Sequence, residues 1–331
     1  MIEVKTFTTI EDVPSEWDIL VKDNIYMTKS FLSFMERVDN YNQKYYMIYD
    51  DNQLDTIFMT YVMDEYNIGM FTKFKIIKKL TMVAPPLSIT RPGIIHTKCF
   101  NEALKIIENI KGAKLILNLG DINLKGWAKG VTFPKCVFKN RFNSFEHYLN
   151  SLRSNYRHRY KKALEKSKAL KLEYLEDNTL FNEEMYECYL QVFEKSEVKI
   201  EKHSIDFFRG SCFKIFTLSN EDKVVGVCQL LENDKELIFE FVGVDYNFNA
   251  QYDTYHRILL EIIKYGIENN FDTIDFGQTA DESKLKLGAQ YEYLYVYLNE
   301  SNKLKNFINI KLSKYLSYKP ITTNFKIFKE E

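Results

Sequence analysis

Eight Lys or Arg side chains lie between Arg153 and Lys171 (Arg153, Arg157, Arg159, Lys161, Lys162, Lys166, Lys168 and Lys171), against one acid, Glu165. The whole chain carries a formal net charge of −1, so this concentration is local. Arg153, Arg157 and Lys161 are spaced four apart and form one cationic row on a helix. Such a row suits an anionic group: a phosphate, a nucleotide or RNA. The same residues equally describe a solvated face that serves solubility alone.

Polar side chains inside otherwise apolar strands are the next candidates. Glu240 interrupts ELIFEFVGV, and Gln229 interrupts VVGVCQLL. Strict alternation puts Leu237, Phe239 and Phe241 on one face and Ile238, Glu240 and Val242 on the other, where Glu240 faces either a cleft or solvent. His158 and His256 sit alone on helices and read as surface or capping residues. Tyr291, Tyr293, Tyr295 and Tyr297 share one face of a strand, which reads first as core or sheet surface. No metal-ligand spacing, Ser–His–Asp pattern, Walker loop or dinucleotide fingerprint is present.

These residues must be positioned by a chain of 331 residues, long enough for two domains with separate cores. Apolar residues make up 45% and charged residues 27%, an ordinary globular balance. Five dispersed cysteines without a C-x-x-C pair argue against a disulfide framework or zinc site and fit a reducing cytoplasm. The N-terminus lacks the apolar core of a signal peptide, and no apolar run is long enough to span a bilayer.

Each half repeats one plan. The first has strands at IEVKTF, KYYMIYDD and LDTIFMTYVMD, an irregular Leu80–Pro92 stretch, a Cys99–Ile110 helix and a strand AKLILNLGD. The second opens with one long basic helix, Phe142–Leu170. LKLEYLE, a helix, a three-stranded meander, a helix over about 252–270, a strand Thr273–Gly277, a strand Tyr291–Glu300 and a helix Asn302–Leu316 follow. Antiparallel strands followed by a helix and a parallel strand give a mixed α/β (α+β) sheet in each half. The domains are expected at residues 1–141 and 142–331.

This order of elements is similar to a GNAT acyltransferase domain. The stretch from Val131 to Glu173 resembles the join between the two GNAT-like halves of Fem-type peptidyltransferases, whose helix carries R-x-x-x-R/K-K-A; Arg153, Arg157, Lys161, Lys162 and Ala163 match it. Asp275-Phe276-Gly277-Gln278 and Lys284 resemble the (E/D)-x-G strand end and following lysine of Fem-like and CelD/BioF-like families. The opening VPSEWDILVKDNIYMTKSFLSFME is also similar to N-acyltransferases related to Fem proteins. The resemblance implies two tandem GNAT-like domains and an acyl or aminoacyl transferase of the peptidoglycan-biosynthesis type. Asp275, Glu240 and Lys284 are then the catalytic candidates, as proton acceptors and as a contact for carboxylate, phosphate or oxyanion. Arg153, Arg157, Lys161, Gln229, Tyr252, Tyr255 and Gln278 would bind substrate or carrier.

Ordinary GNAT enzymes hold the coenzyme A pyrophosphate on backbone N–H groups of a glycine-rich loop. The matching residues here, Asn247–Asp253, contain no glycine. No tightly bound cofactor is expected. The donor is expected to be aminoacyl-tRNA or an acyl group on a carrier protein, with coenzyme A ranked behind them. The acceptor is an amine on a small or peptide-like molecule. A non-catalytic module that holds RNA or another anionic partner through the basic helix is the alternative.

Overall fold

A computed structural model describes residues 1–87, 90–199 and 202–329. In the first half the alternating runs form strands β1 (Ile2–Phe7), β2 (Lys44–Asp50), β3 (Gln53–Asn67), β4 (Ile77–Val83), β5 (Ile94–His96), β6 (Ala113–Leu119) and β7 (Ala128–Val131). Asp51 and Asn52 both have positive φ (47° and 63°), so a two-residue turn joins β2 to β3 with the twist a hairpin needs. Leu80–Val83, expected to be irregular, instead completes β4, which pairs with the end of β3.

The second half supplies β8 (Lys135–Lys139), β9 (Lys171–Tyr174), β10 (Phe213–Asn220), β11 (Lys223–Asn233), β12 (Glu236–Val244), β13 (Thr273–Asp275) and β14 (Gln290–Glu292). The last strand is β15 (Tyr295–Glu300). One sheet runs β1-β2-β3-β4-β6-β15-β7 with β5 against β3; the other runs β14-β8-β13-β12-β11-β10-β9. Each sheet has one parallel pair, β4 with β6 and β12 with β13. Each is therefore the mixed sheet of a GNAT-like domain, and the chain is a tandem of two.

The compact units are Met1–Pro134 with Tyr293–Pro320, and Lys135–Glu292 with Ile321–Glu331. The sequence placed the join after residue 141 and gave everything beyond it to one domain. Two strands differ from that placement. β8 inserts between β13 and β14, while β15 inserts between β6 and β7. The alternating run Tyr291–Glu300 consequently breaks at Tyr293–Leu294 into strands of different sheets. Alternation marks a strand but does not name its partner.

In the second unit the core lies against the Thr254–Glu268 helix. Gly266 permits its close approach, since a Cβ there would fall 2.6 Å from Ile274 Cδ1. The expected long basic helix is two helices, Phe145–Ser151 and Ser154–Lys166. Leu152 is fully buried and bridges Phe328, and the Arg153 N–H donates to the Ile327 carbonyl at 2.9 Å. The C-terminal segment thus takes the backbone groups that a continuous helix would have used.

Candidate active site

The parallel ladder between β12 and β13 ends at Ile238–Asp275, although β12 continues to Val244. β13 pairs with β8 along its whole length, and that pairing runs on past Asp275: Phe276 N–H donates to the Cys136 carbonyl at 2.9 Å, and Cys136 N–H to the Gly277 carbonyl at 3.0 Å. Gly277 still lies against β12, where a Cβ on it would be 3.5 Å from the Phe239 carbonyl. The turn that follows holds three left-handed residues, Gly277 (φ 67°), Thr279 (φ 61°) and Ala280 (φ 48°). A β-branched residue in that region is strained, and such strain gathers at functional sites.

Buried ionisable groups surround this turn. Asp275 is fully buried; its Oδ1 accepts the Gly277 N–H at 2.8 Å and its Oδ2 lies 3.9 Å from Lys135 Nζ. Lys135 also reaches Glu292 at 2.9 Å. The Asp281–Leu285 helix carries Lys284, which is 3% exposed and donates to the Gln278 carbonyl at 2.7 Å. Burial lowers the Lys284 pKa, against the raising influence of Cys136, Asp281 and Asp275. Tyr291 donates to Asp281 Oδ2 at 2.8 Å. Burial likewise pushes the Cys136 thiol up to about 12, so it stays protonated and is no nucleophile at neutral pH. Tyr148 and Tyr160 brace the strand-side loop by donating to the Leu287 and Lys286 carbonyls at 3.0 and 2.5 Å.

The other face of the sheet differs from the alternation expected of β12. Gln229 pairs with Phe241 and Leu230 with Phe239, so Glu240 is an extra, bulged residue. The bulge reverses the faces. Phe239 joins Leu237 in the core under the Thr254–Glu268 helix, while Phe241 packs on Tyr189, His203, Phe207 and Phe208. Glu240 is half-buried at the bulge. Gln229, across from Phe241 and 1% exposed, has both amide atoms buried without a hydrogen-bond partner. A buried, unsatisfied amide is costly, and it marks a place where a ligand's polar group would fit.

The cationic row is largely occupied by the protein itself. Arg153 Nε donates to the Phe328 carbonyl at 3.0 Å, and Arg157 Nη1 to the Leu152 carbonyl at 3.3 Å. Arg159 meets His256 at 2.9 Å, and His256 meets Asp253 at 2.7 Å. Lys161 is exposed. Arg157 and Lys284 thus bond to different carbonyls, those of Leu152 and Gln278. The Asn247–Asp253 stretch, expected as a loop, lies almost wholly in a helix, Tyr246–Tyr252. Tyr252 packs in the core and stacks on Phe248. Tyr255 donates its backbone N–H to Asn249 at 3.0 Å, and burial raises its hydroxyl pKa.

Asp275, Gln278 and Lys284 are brought together; Glu240 and Gln229 lie along the neighbouring β12–β11 pair. Sequence reasoning missed Lys135, Asp281 and Tyr291. The three-residue step from Asp281 to Lys284, which puts both on one side of a helical turn, was a usable signal.

Residues 150–286 match the model of the acetyltransferase (GNAT) domain. FemX superposes with a TM-score of 0.56 at 11% identity, over 92% of this chain and all of that one (100%). A tandem GNAT protein from the clavulanic acid biosynthesis pathway gives 0.54 at 8%, over 91% and 99%. The C-terminal domain assigned to a lysylphosphatidylglycerol synthetase from Agrobacterium fabrum gives 0.53 at 8%, over 89% and 93%. No curated protein matches the sequence. The chain carries a tandem GNAT fold, as its motifs implied.

Proposed function

We propose that this tandem GNAT chain transfers an acyl or aminoacyl group from an activated carrier to an amine, with the reaction at the Gly277–Ala280 turn where the β12–β13 ladder ends. One observation carries the reading: Lys284 is buried beside that turn with its pKa lowered. In its deprotonated form Lys284 takes a proton from the acceptor's ammonium, and the free amine so formed attacks the acyl carbonyl. Asp275 and Lys135 fix the turn that aims Lys284, and the leaving carrier accepts the final proton. Positioning supplies the rest of the rate.

Aminoacyl-tRNA or a carrier-bound acyl group is the favoured donor over coenzyme A. A helix occupies the place of the glycine loop, and the Asp253 carboxylate stands at the N-terminus of the next helix. Both discourage a pyrophosphate. The acceptor is a small or peptide-like amine, and the FemX likeness makes a cell-wall precursor the first to try.

The test is transfer of a labelled group from charged tRNA, acyl carrier protein or acetyl-coenzyme A to a panel of amine-bearing peptides, read by mass spectrometry. The rate is expected to climb with pH as Lys284 loses its proton, on a limb below the usual lysine value of about 10.4. Lys284→Met should remove that limb and cut the rate about 100- to 10,000-fold, the usual worth of a positioned general base. An unchanged rate and profile in the variant would exclude Lys284 as the base.

A further inference from the structure

The Lys303–Leu312 helix is built inside out. Its buried side is polar: Asn306 donates to the Gly126 carbonyl at 2.8 Å and accepts the Glu300 N–H at 3.0 Å, while Asn309 is 6% exposed. One turn on, Ser317 accepts the Val131 N–H at 3.2 Å. The outward side carries Leu304 (69% exposed), Phe307 (58%), Ile308, Leu312 and Tyr315 (75%). At 100° per residue these five fall within an arc of roughly 140°, with exposed Ile310 about 60° beyond its Phe307 edge. A soluble helix has the reverse arrangement.

Charge frames this apolar arc. Ser301–Pro320 holds Lys303, Lys305, Lys311, Lys314 and Lys319 and no acid. Lys311 projects within the arc, with Lys303 and Lys314 along one flank and Lys305 on the other. Long lysine stems can lie along apolar surface with their ammonium groups at its margin. We propose that this helix lies in the surface of a bilayer rich in anionic lipid, its apolar arc among the acyl chains and its lysines on the headgroups. Charge complementarity selects this occupant. A two-fold pairing with a second copy would set the same lysines against one another, which opposes self-association.

The inference is independent of the transfer reaction and is tested without it. The full chain is sedimented with vesicles of equal parts phosphatidylglycerol and phosphatidylcholine, and with phosphatidylcholine alone. Pelleting is expected with the anionic vesicles and should weaken as salt is added. Phe307→Ser with Ile308→Ser should reduce partitioning at least roughly tenfold. Lys311→Gln with Lys314→Gln should reduce it roughly 30-fold, at about 1 kcal/mol per lysine. All four side chains are exposed, so unchanged thermal unfolding is the control for both variants. No pelleting with anionic vesicles, or pelleting indifferent to both variants, overturns the proposal. So does a dimer in the ultracentrifuge that Phe307→Ser with Ile308→Ser dissolves, or capture of the chain by an acidic protein in preference to the vesicles.

Discussion

Gln229 sits in the middle of a central strand with nothing to bond. A leucine of similar size would remove two unsatisfied polar atoms from an apolar setting. Gln229→Leu should therefore raise the free energy of unfolding by about 1–3 kcal/mol, measured by urea titration. If the amide serves the acceptor, the same variant should raise KM for that acceptor. Lower stability in Gln229→Leu would mean that the amide is satisfied in solution. The Lys284 cluster follows the same logic at the turn where the β12–β13 ladder ends. A buried amine, two buried carboxylates and a strained turn are kept together where a simple core would hold none of them.

Among the elements, the Phe100–Asn109 helix shows how a distant side chain can do the work of a local cap. Cys99 at its N-cap makes no side-chain cap. Asp55, from β3, accepts the Cys99 N–H at 2.6 Å, the Lys98 N–H at 3.1 Å, the Thr56 hydroxyl at 2.8 Å and the Thr97 hydroxyl. Burial alone would raise the Asp55 pKa; the hydrogen bonds from Thr97, Cys99, Thr56 and Lys98 outweigh it and hold the carboxyl well below the usual range. A depressed carboxyl stabilises the fold above its unfolded value of about 3.9, and that contribution is lost as pH falls toward the folded value. Asp55→Asn should cost about 1–3 kcal/mol at pH 7, with the gap to the parent narrowing from about pH 5 downward. A gap that holds constant into acid would show that the charge of Asp55 plays no part.

At the scale of the molecule, the first sheet takes one strand, β15, from outside the consecutive run β1–β7, whereas the second is built from the consecutive run β8–β14. β15 fills the space between β6 and β7, in register with Ala113–Leu119 on one side and Ala128–Val131 on the other. A fragment ending at Pro134 has lost the strand that joins two others. Met1–Pro134 alone should show no cooperative thermal transition by circular dichroism, and supplying Tyr293–Pro320 as a separate peptide should restore one. A cooperative transition in the fragment alone would make β15 an accessory strand. Among the described residues, no helix is long and apolar enough to cross a membrane.

Local order was legible in the chain. The hairpin turn, expected at Asn52-Gln53, falls one residue earlier at Asp51-Asn52. Alternation at Lys44–Asp51 and Lys223–Asn233 and the motif Asp275–Lys284 marked the meanders, the parallel strand and the kind of fold. They did so because period, turn chemistry and burial pattern are properties of a few neighbouring residues. Tertiary structure decided the rest. The Glu240 bulge exists only because β11 offers one residue where β12 has two, and it turned Phe241 to the opposite face. The basic helix broke at Leu152 because Ile327 and Phe328, far along the chain, took its backbone groups. Arg153 and Arg157 became ties to carbonyls for the same reason. The lowered pKa of Lys284 and the unpaired amide of Gln229 arise from surroundings assembled by several strands and helices, and no stretch of sequence contains those surroundings.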